Sequence, residues 1–205
     1  MGLFITFEGG EGCGKSTQSR LLYNRLKKLA VPVVLTHEPG VTDLGRKITR
    51  LLKYSQNIAI SPLAELLLFN ASRAQLLEEV INPALKKGTV VVCDRFTDST
   101  IAYQGYGRGL DLALVNGVDQ SATRGLQPDL TILLDLNVET GLARKKEQKA
   151  DRFQAENLAF HRRIRHGYLE LAKAEPKRWL KIDATQSKED IAGIIWQKVS
   201  KLLPR

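Results

Sequence analysis

The sequence predicts an α/β protein in three layers, a five-stranded parallel sheet with helices on both faces. Two features of the pattern carry this. Short runs that are apolar throughout alternate with longer stretches of helical periodicity along the whole chain. The short runs have no polar face, as strands covered on both sides require.

The first strand is Leu3–Phe7, followed at once by Glu8 and glycines, so no leader peptide is expected. A helix near 15–29 follows, then a strand at Val33–Thr36 and a helix near 43–53. Ser61 and Pro62 open a helix predicted over 62–81, and Pro83 is expected to break it. The third strand is Thr89–Cys93, with a helix over 111–124 beyond it. Leu130–Leu134 is the fourth strand. A broken helical pattern covers 139–173, a weaker strand lies at Trp179–Asp183, and a last helix spans 188–203. The longest apolar run, Leu66–Phe69, is too short to cross a bilayer. With no linker or repeat, one domain over 1–205 is expected.

Hydrophobic residues make up 43% of the 205 and charged residues 26%. These are ordinary globular values and exclude wholesale disorder or a fibrous repeat. Thirty-one basic residues against 22 acidic ones leave a net charge of +9. That points to polyanionic partners: nucleic acid, an acidic membrane surface or phosphorylated small molecules. Cys13 and Cys93 imply neither a disulfide framework nor a zinc site, so a cytoplasmic setting is expected.

The segment Gly9-Gly10-Glu11-Gly12-Cys13-Gly14-Lys15-Ser16-Thr17 fits G-x-x-x-x-G-K-S/T between a strand and a helix. Glycines let backbone N–H groups wrap a phosphate chain, and the helix start adds its positive dipole end. Lys15 supplies a point charge for the β- and γ-phosphates and Ser16 a hydroxyl for Mg²⁺. The whole predicts a three-layer P-loop NTPase fold that binds a nucleotide. No late N/T-K-x-D motif reads a guanine base, so a Ras-type GTPase is not expected. A nucleic-acid-dependent ATPase stays open on charge alone.

Further motifs narrow the choice: Phe7-Glu8-Gly9 into the loop, Glu38-Pro39-Gly40, Leu68-Phe69 with Arg73, Asp94-Arg95-Phe96, Ala102-Tyr103-Gln104-Gly105 and Ile182-Asp183-Ala184. In this order they resemble the bacterial thymidylate kinases of the nucleoside monophosphate kinase superfamily, over essentially the whole chain. The resemblance implies transfer of a phosphoryl group from ATP to dTMP in a homodimer, with the helix over 62–81 a candidate for its interface. It implies an acceptor region over 37–110. There Phe69 stacks on thymine, Arg73 bonds a thymine carbonyl oxygen, and Gln104 with Thr100 lies by the base. Tyr103 packs against the deoxyribose, and Glu11 accepts from the 3′-hydroxyl. Arg95 clamps the acceptor phosphate, Asp94 holds Mg²⁺-bound water or orients Arg95, and Glu38 and Arg50 lie near that phosphate.

A lid over 141–153 is expected to close on the transferring group. It is rich in lysine where the family commonly has arginine, leaving Arg144 as the expected catalytic cation, assisted by Lys146, Lys149 or Arg152. His37 and Val41 depart from the Arg and Gly common beside Glu-Pro-Gly. His161 and His166 are read as solvent-facing. The alternatives are a kinase for another deoxynucleoside monophosphate, or the nucleic-acid-dependent ATPase with Arg162, Arg163 and Arg165 as a basic strip.

Overall fold

A computed structural model describes residues 2–55, 58–145 and 151–203. In chain order its elements are β1 (Phe4–Glu8), α1 (Lys15–Lys28), β2 (Val33–His37), α2 (Asp43–Tyr54), α3 (Pro62–Leu76), α4 (Asn82–Lys86), β3 (Val90–Asp94), α5 (Thr97–Thr100), α6 (Leu112–Thr123), β4 (Leu130–Asp135), α7 (Val138–Ala143), α8 (Leu158–Ala174), β5 (Trp179–Asp183) and α9 (Lys188–Val199). Every strand lies within one residue of its predicted bounds at each end. The strands form one parallel sheet in the order β2-β3-β1-β4-β5.

Alternation along β1 builds two cores. Ile5 and Phe7 pack with Leu22 and Leu26 of α1 and Ile191 and Ile195 of α9. Phe4 turns the other way, toward Leu76, Ile81 and Phe96. A third cluster joins Tyr103, Phe153, Phe160 and Tyr168 beside the sheet. The register aligns the strand ends: Asp94 pairs with both Phe7 and His37, and Glu8 pairs with Leu133. Glu8, His37 and Asp94 therefore reach one rim. There the chain leaves β1 between β3 and β4, where the strand order reverses and a crevice opens.

Two expectations are corrected. Pro83 does not end its helix. A π-helical turn, Leu77–Ile81, precedes it, and the chain continues into α4 with Pro83 in the first turn. The wider turn before it accommodates the missing N–H and relieves the clash with the preceding spiral. His161 is buried rather than solvent-facing. It shares a face of α8 with Ile164 and Tyr168, three and seven residues on, and all three are buried. Burial lowers its pKa. His166 is exposed, edge-on to Tyr106.

Candidate active site

The carboxyl ends of β1, β2 and β3 open onto a cavity of about 720 Å³, the size of a small-molecule site. One end is the phosphate loop. Gly9, Gly12 and Gly14 take φ values of 138°, 66° and 97°, which L side chains rarely adopt. Several helices open on a side-chain cap, Thr42 for α2 and Asn157 for α8 among them. α1 has none, so its first-turn N–H groups face the loop, ready for an anion. Lys15 Nζ donates to the carbonyls of Gly9 (2.9 Å) and Gly10 (2.7 Å). Cys13 is buried beneath, 3.5 Å from that ammonium. Glu11, Gly12, Ser16 and Thr17 line the cavity itself.

Main chain packs against main chain at Gly12 and Gly141. A Cβ on Gly12 would stand 2.1 Å from the Gly141 carbonyl oxygen, and one on Gly141 2.2 Å from that of Glu11. α7 thereby lies directly on the loop. Arg144, just past α7, lines the cavity and donates from Nη1 to the Gly12 carbonyl at 3.4 Å. Lys146 and Lys149 lie outside the described residues.

The middle of the cavity belongs to Asp94 and Arg95. Asp94 Oδ2 accepts from Ser16 Oγ at 2.5 Å, joining β3 to the phosphate loop. Arg95 has φ 73°, a left-handed conformation that costs a non-glycine residue about 1–3 kcal/mol. Its guanidinium is held on all sides. Nη2 donates to Glu11 Oε1 (2.9 Å) and Tyr103 Oη (3.0 Å), and Nη1 to Ser99 Oγ (3.1 Å) and Tyr168 Oη (3.2 Å). Burial opposes charge on Glu11, but Arg95, Lys15 and the Tyr103 hydroxyl overcome it and hold the carboxyl at about 2.

The far end is more apolar. The Phe69 ring stands 5.7 Å from that of Phe153. Tyr103, Thr100 and Gln104 follow one another up the α5 turn and the π-helical segment Ile101–Gly107. Arg73 reaches this wall fully buried, with its nitrogens engaged by protein. Nε donates to Glu38 Oε2 (2.8 Å), Nη1 to Asp119 Oδ1 (2.7 Å) and Nη2 to the Phe96 carbonyl (3.1 Å). Burial raises Glu38 to about 6 even against Arg73. Its Oε1, like Thr100 Oγ1, is buried with no partner among the described residues. His37 also lines the cavity, its pKa lowered by burial against the pull of Asp94.

One expected residue is not brought in. Arg50 is exposed on α2 and absent from the cavity wall. Thr49 and Lys53, four apart on that helix, line the cavity instead. Arg152 is turned away from the phosphate end as well, and pairs with Glu65.

The family model for thymidylate kinases matches residues 7–195. The chain belongs to the thymidylate kinase family. It is 58% identical to the thymidylate kinase of Dehalococcoides mccartyi, over 99% of this chain and 98% of that protein. Its identity to the thymidylate kinase of a Synechococcus strain is 52%, over 98% and 96%. A crystal structure of thymidylate kinase from Ehrlichia chaffeensis matches with a TM-score of 0.79 at 34% identity, covering 97% of this chain and 98% of that one. The enzyme phosphorylates dTMP to dTDP.

A thymidylate kinase must hold two anionic nucleotides in register, and three of the residues that brace Arg95 for this, Ser99, Tyr168 and Glu8 behind them, escape sequence reading. Glu8 is one. Its Oε1 accepts from the Phe96 N–H (2.7 Å), and its Oε2 from Ser99 Oγ (2.6 Å) and Tyr168 Oη (2.9 Å). Burial and then Asp98 push it up to about 7, against the opposing pull of Arg95 and its hydrogen bonds to Ser99 and Phe96. The ordinary value is 4.5. Between the two values the folded enzyme holds a proton that the unfolded chain has released. The stability from Glu8 is thus complete below about 4.5 and lost as pH rises through 7. Wild type is expected to lose more stability than Glu8→Gln between about pH 5 and pH 8, by on the order of 1 kcal/mol or more. Urea unfolding at several pH values measures this, and parallel curves would show that Glu8 titrates as an ordinary carboxyl.

Proposed function

We propose that this chain transfers the γ-phosphoryl group of ATP to the phosphate of dTMP by positioning and charge neutralisation alone. The acceptor phosphate, with a second pKa of about 6, is mostly dianionic at neutral pH and needs no general base. The barrier is the approach of two anions. Lys15 and the loop N–H groups hold the donor phosphates, Arg95 holds the acceptor phosphate, and Arg144 neutralises charge on the group in flight. Glu38 stands near the acceptor phosphate, and Glu11 takes the sugar hydroxyl. Phe69, Arg73, Thr100, Tyr103 and Gln104 receive the base and deoxyribose. The observation that carries this is the braced Arg95 guanidinium beside the Asp94–Ser16 contact, where acceptor and donor machinery meet.

Ser16 and Asp94 also fit Mg²⁺. They are adjacent hard oxygen donors, and no cluster of three or more His, Cys, Asp or Glu side chains forms a protein cage among the described residues. Mg²⁺ is ordinarily held by one or two protein oxygens, substrate phosphates and water. When bound, it would neutralise charge on the donor phosphates.

The basic strip does not favour nucleic acid. Arg162 pairs with Glu139 and Arg165 with Asp135, while Arg163 donates to the Gly107 carbonyl. Leu63 and Leu67, exposed and four apart on α3, support a homodimer through that helix, and the solution mass tests it. No described helix is long and apolar enough to cross a membrane.

Arg144→Ala is expected to lower kcat on the order of 10²-fold with dTMP KM little changed. ADP formation with dTMP as acceptor measures it, and wild-type turnover would remove Arg144 from the mechanism.

A further inference from the structure

Glu65 lies mid-wall on α3, outside the phosphate machinery, and is 1% exposed. Its carboxylate collects three donor residues from two separate stretches of chain. Gln104 Nε2 donates to Oε1 at 2.9 Å. Arg108 grips both oxygens, from Nε at 3.1 Å and Nη2 at 3.2 Å. Arg152 Nη2 donates to Oε2. In each of these contacts the carboxylate is the acceptor.

This fixes an orientation that would otherwise be free. A glutamine amide can turn over, exchanging its NH₂ for its oxygen, and only its partners decide which way it points. Against Glu65 the Gln104 amide has one acceptable choice: nitrogen to the carboxylate. The two ends of an amide diverge, so with Nε2 bonded to Glu65 the Gln104 Oε1 is turned away from that carboxylate, and Gln104 lines the cavity. The acceptor base therefore meets a carbonyl oxygen there. A carbonyl oxygen selects a ring N–H. Thymine carries one at N3, whereas cytosine presents a lone pair at that position and would face repulsion.

We propose that Glu65 is a positioning residue for base specificity. By locking the Gln104 amide it makes the pocket demand an N3–H, and so excludes cytosine nucleotides. The proposal rests on Gln104 reading the base. Both carboxylate oxygens are already committed to Arg108 and Arg152, neither of which lines the cavity, so the lock does not depend on the acceptor being present.

The test compares kcat/KM for dTMP and dCMP in wild type, Glu65→Gln and Gln104→Ala, with melting temperatures alongside. In Glu65→Gln the new amide both donates and accepts, so Gln104 is free to turn. The preference for dTMP over dCMP is expected to fall by about ten-fold or more, mostly through a gain on dCMP. Because Glu65→Gln leaves the half-buried Arg108 and Arg152 without their carboxylate, Glu65→Gln/Arg152→Met is measured too. It removes one of those cations and is expected to show the same loosened preference. An unchanged preference in both, with Gln104→Ala losing it, would overturn the role of Glu65 while leaving Gln104 at the base. An unchanged preference in Gln104→Ala would overturn the placement of Gln104 itself. A purely structural Glu65 would lower the melting temperature and leave the ratio intact.

Discussion

Arg95→Met is expected to lower kcat/KM for dTMP on the order of 10³-fold, the ordinary scale for removing an arginine that touches a transferring phosphoryl system. Four side chains hold the guanidinium, and two of them, Ser99 and Tyr168, are themselves held by Glu8. A group braced this way needs no reorganisation as charge develops, which is the condition for strong electrostatic stabilisation. If Arg95 holds the acceptor phosphate as proposed, the loss should fall on kcat as well as KM, because the same guanidinium would face that phosphate before and during transfer. Arg95→Lys should recover little, since an ammonium lacks the planar fork. Steady-state kinetics with dTMP varied at saturating ATP measure both variants. A tenfold loss or less in Arg95→Met would move the acceptor phosphate elsewhere in the cavity.

Arg73→Met is expected to act first on stability. The guanidinium neutralises two buried carboxylates, Glu38 and Asp119, each within 2.7 Å. Removing one partner of a buried ion pair costs about 3–5 kcal/mol, because the remaining charge is left without compensation. At about 2–4 °C per kcal/mol for a chain of this size, the melting temperature should fall by about 6–20 °C. Burial already raises both Glu38 and Asp119, and without Arg73 they must rise further to bind protons. The triple variant Arg73→Met/Glu38→Gln/Asp119→Asn should therefore regain part of the loss. Thermal unfolding of the two variants decides it, and a single variant as stable as wild type would mean the three charges are not coupled.

The strands and the phosphate loop are legible in the sequence because each is a local pattern. A run such as Val90–Cys93 is apolar whatever surrounds it, and the loop motif carries its own turn. The cavity wall is less legible. Phe69, Arg73, Tyr103 and Gln104 stand out only through family motifs, and Glu65, just before the apolar run Leu66–Phe69, belongs to no motif. Its burial is set by the π-helical segment packing across α3, a long-range fact. Arg50 and Thr49 are adjacent on α2, and choosing between them needs the rotation of that helix. His161 had a local signal, its three- and seven-residue spacing from Ile164 and Tyr168.

The contact between Gly12 and Gly141 has a practical meaning for anyone varying this enzyme. The closest approach there is between backbone atoms, so no rotamer change relieves a side chain added at either position. Both positions are closed in a mutational library, Gly12 by the main chain of Gly141 and Gly141 by the main chain of Glu11. Loop and α7 then behave as one mechanical part: whatever shifts the phosphate cradle carries the base of Arg144 with it. A small molecule wedged at that seam would misalign cradle and cation together without occupying either nucleotide's place.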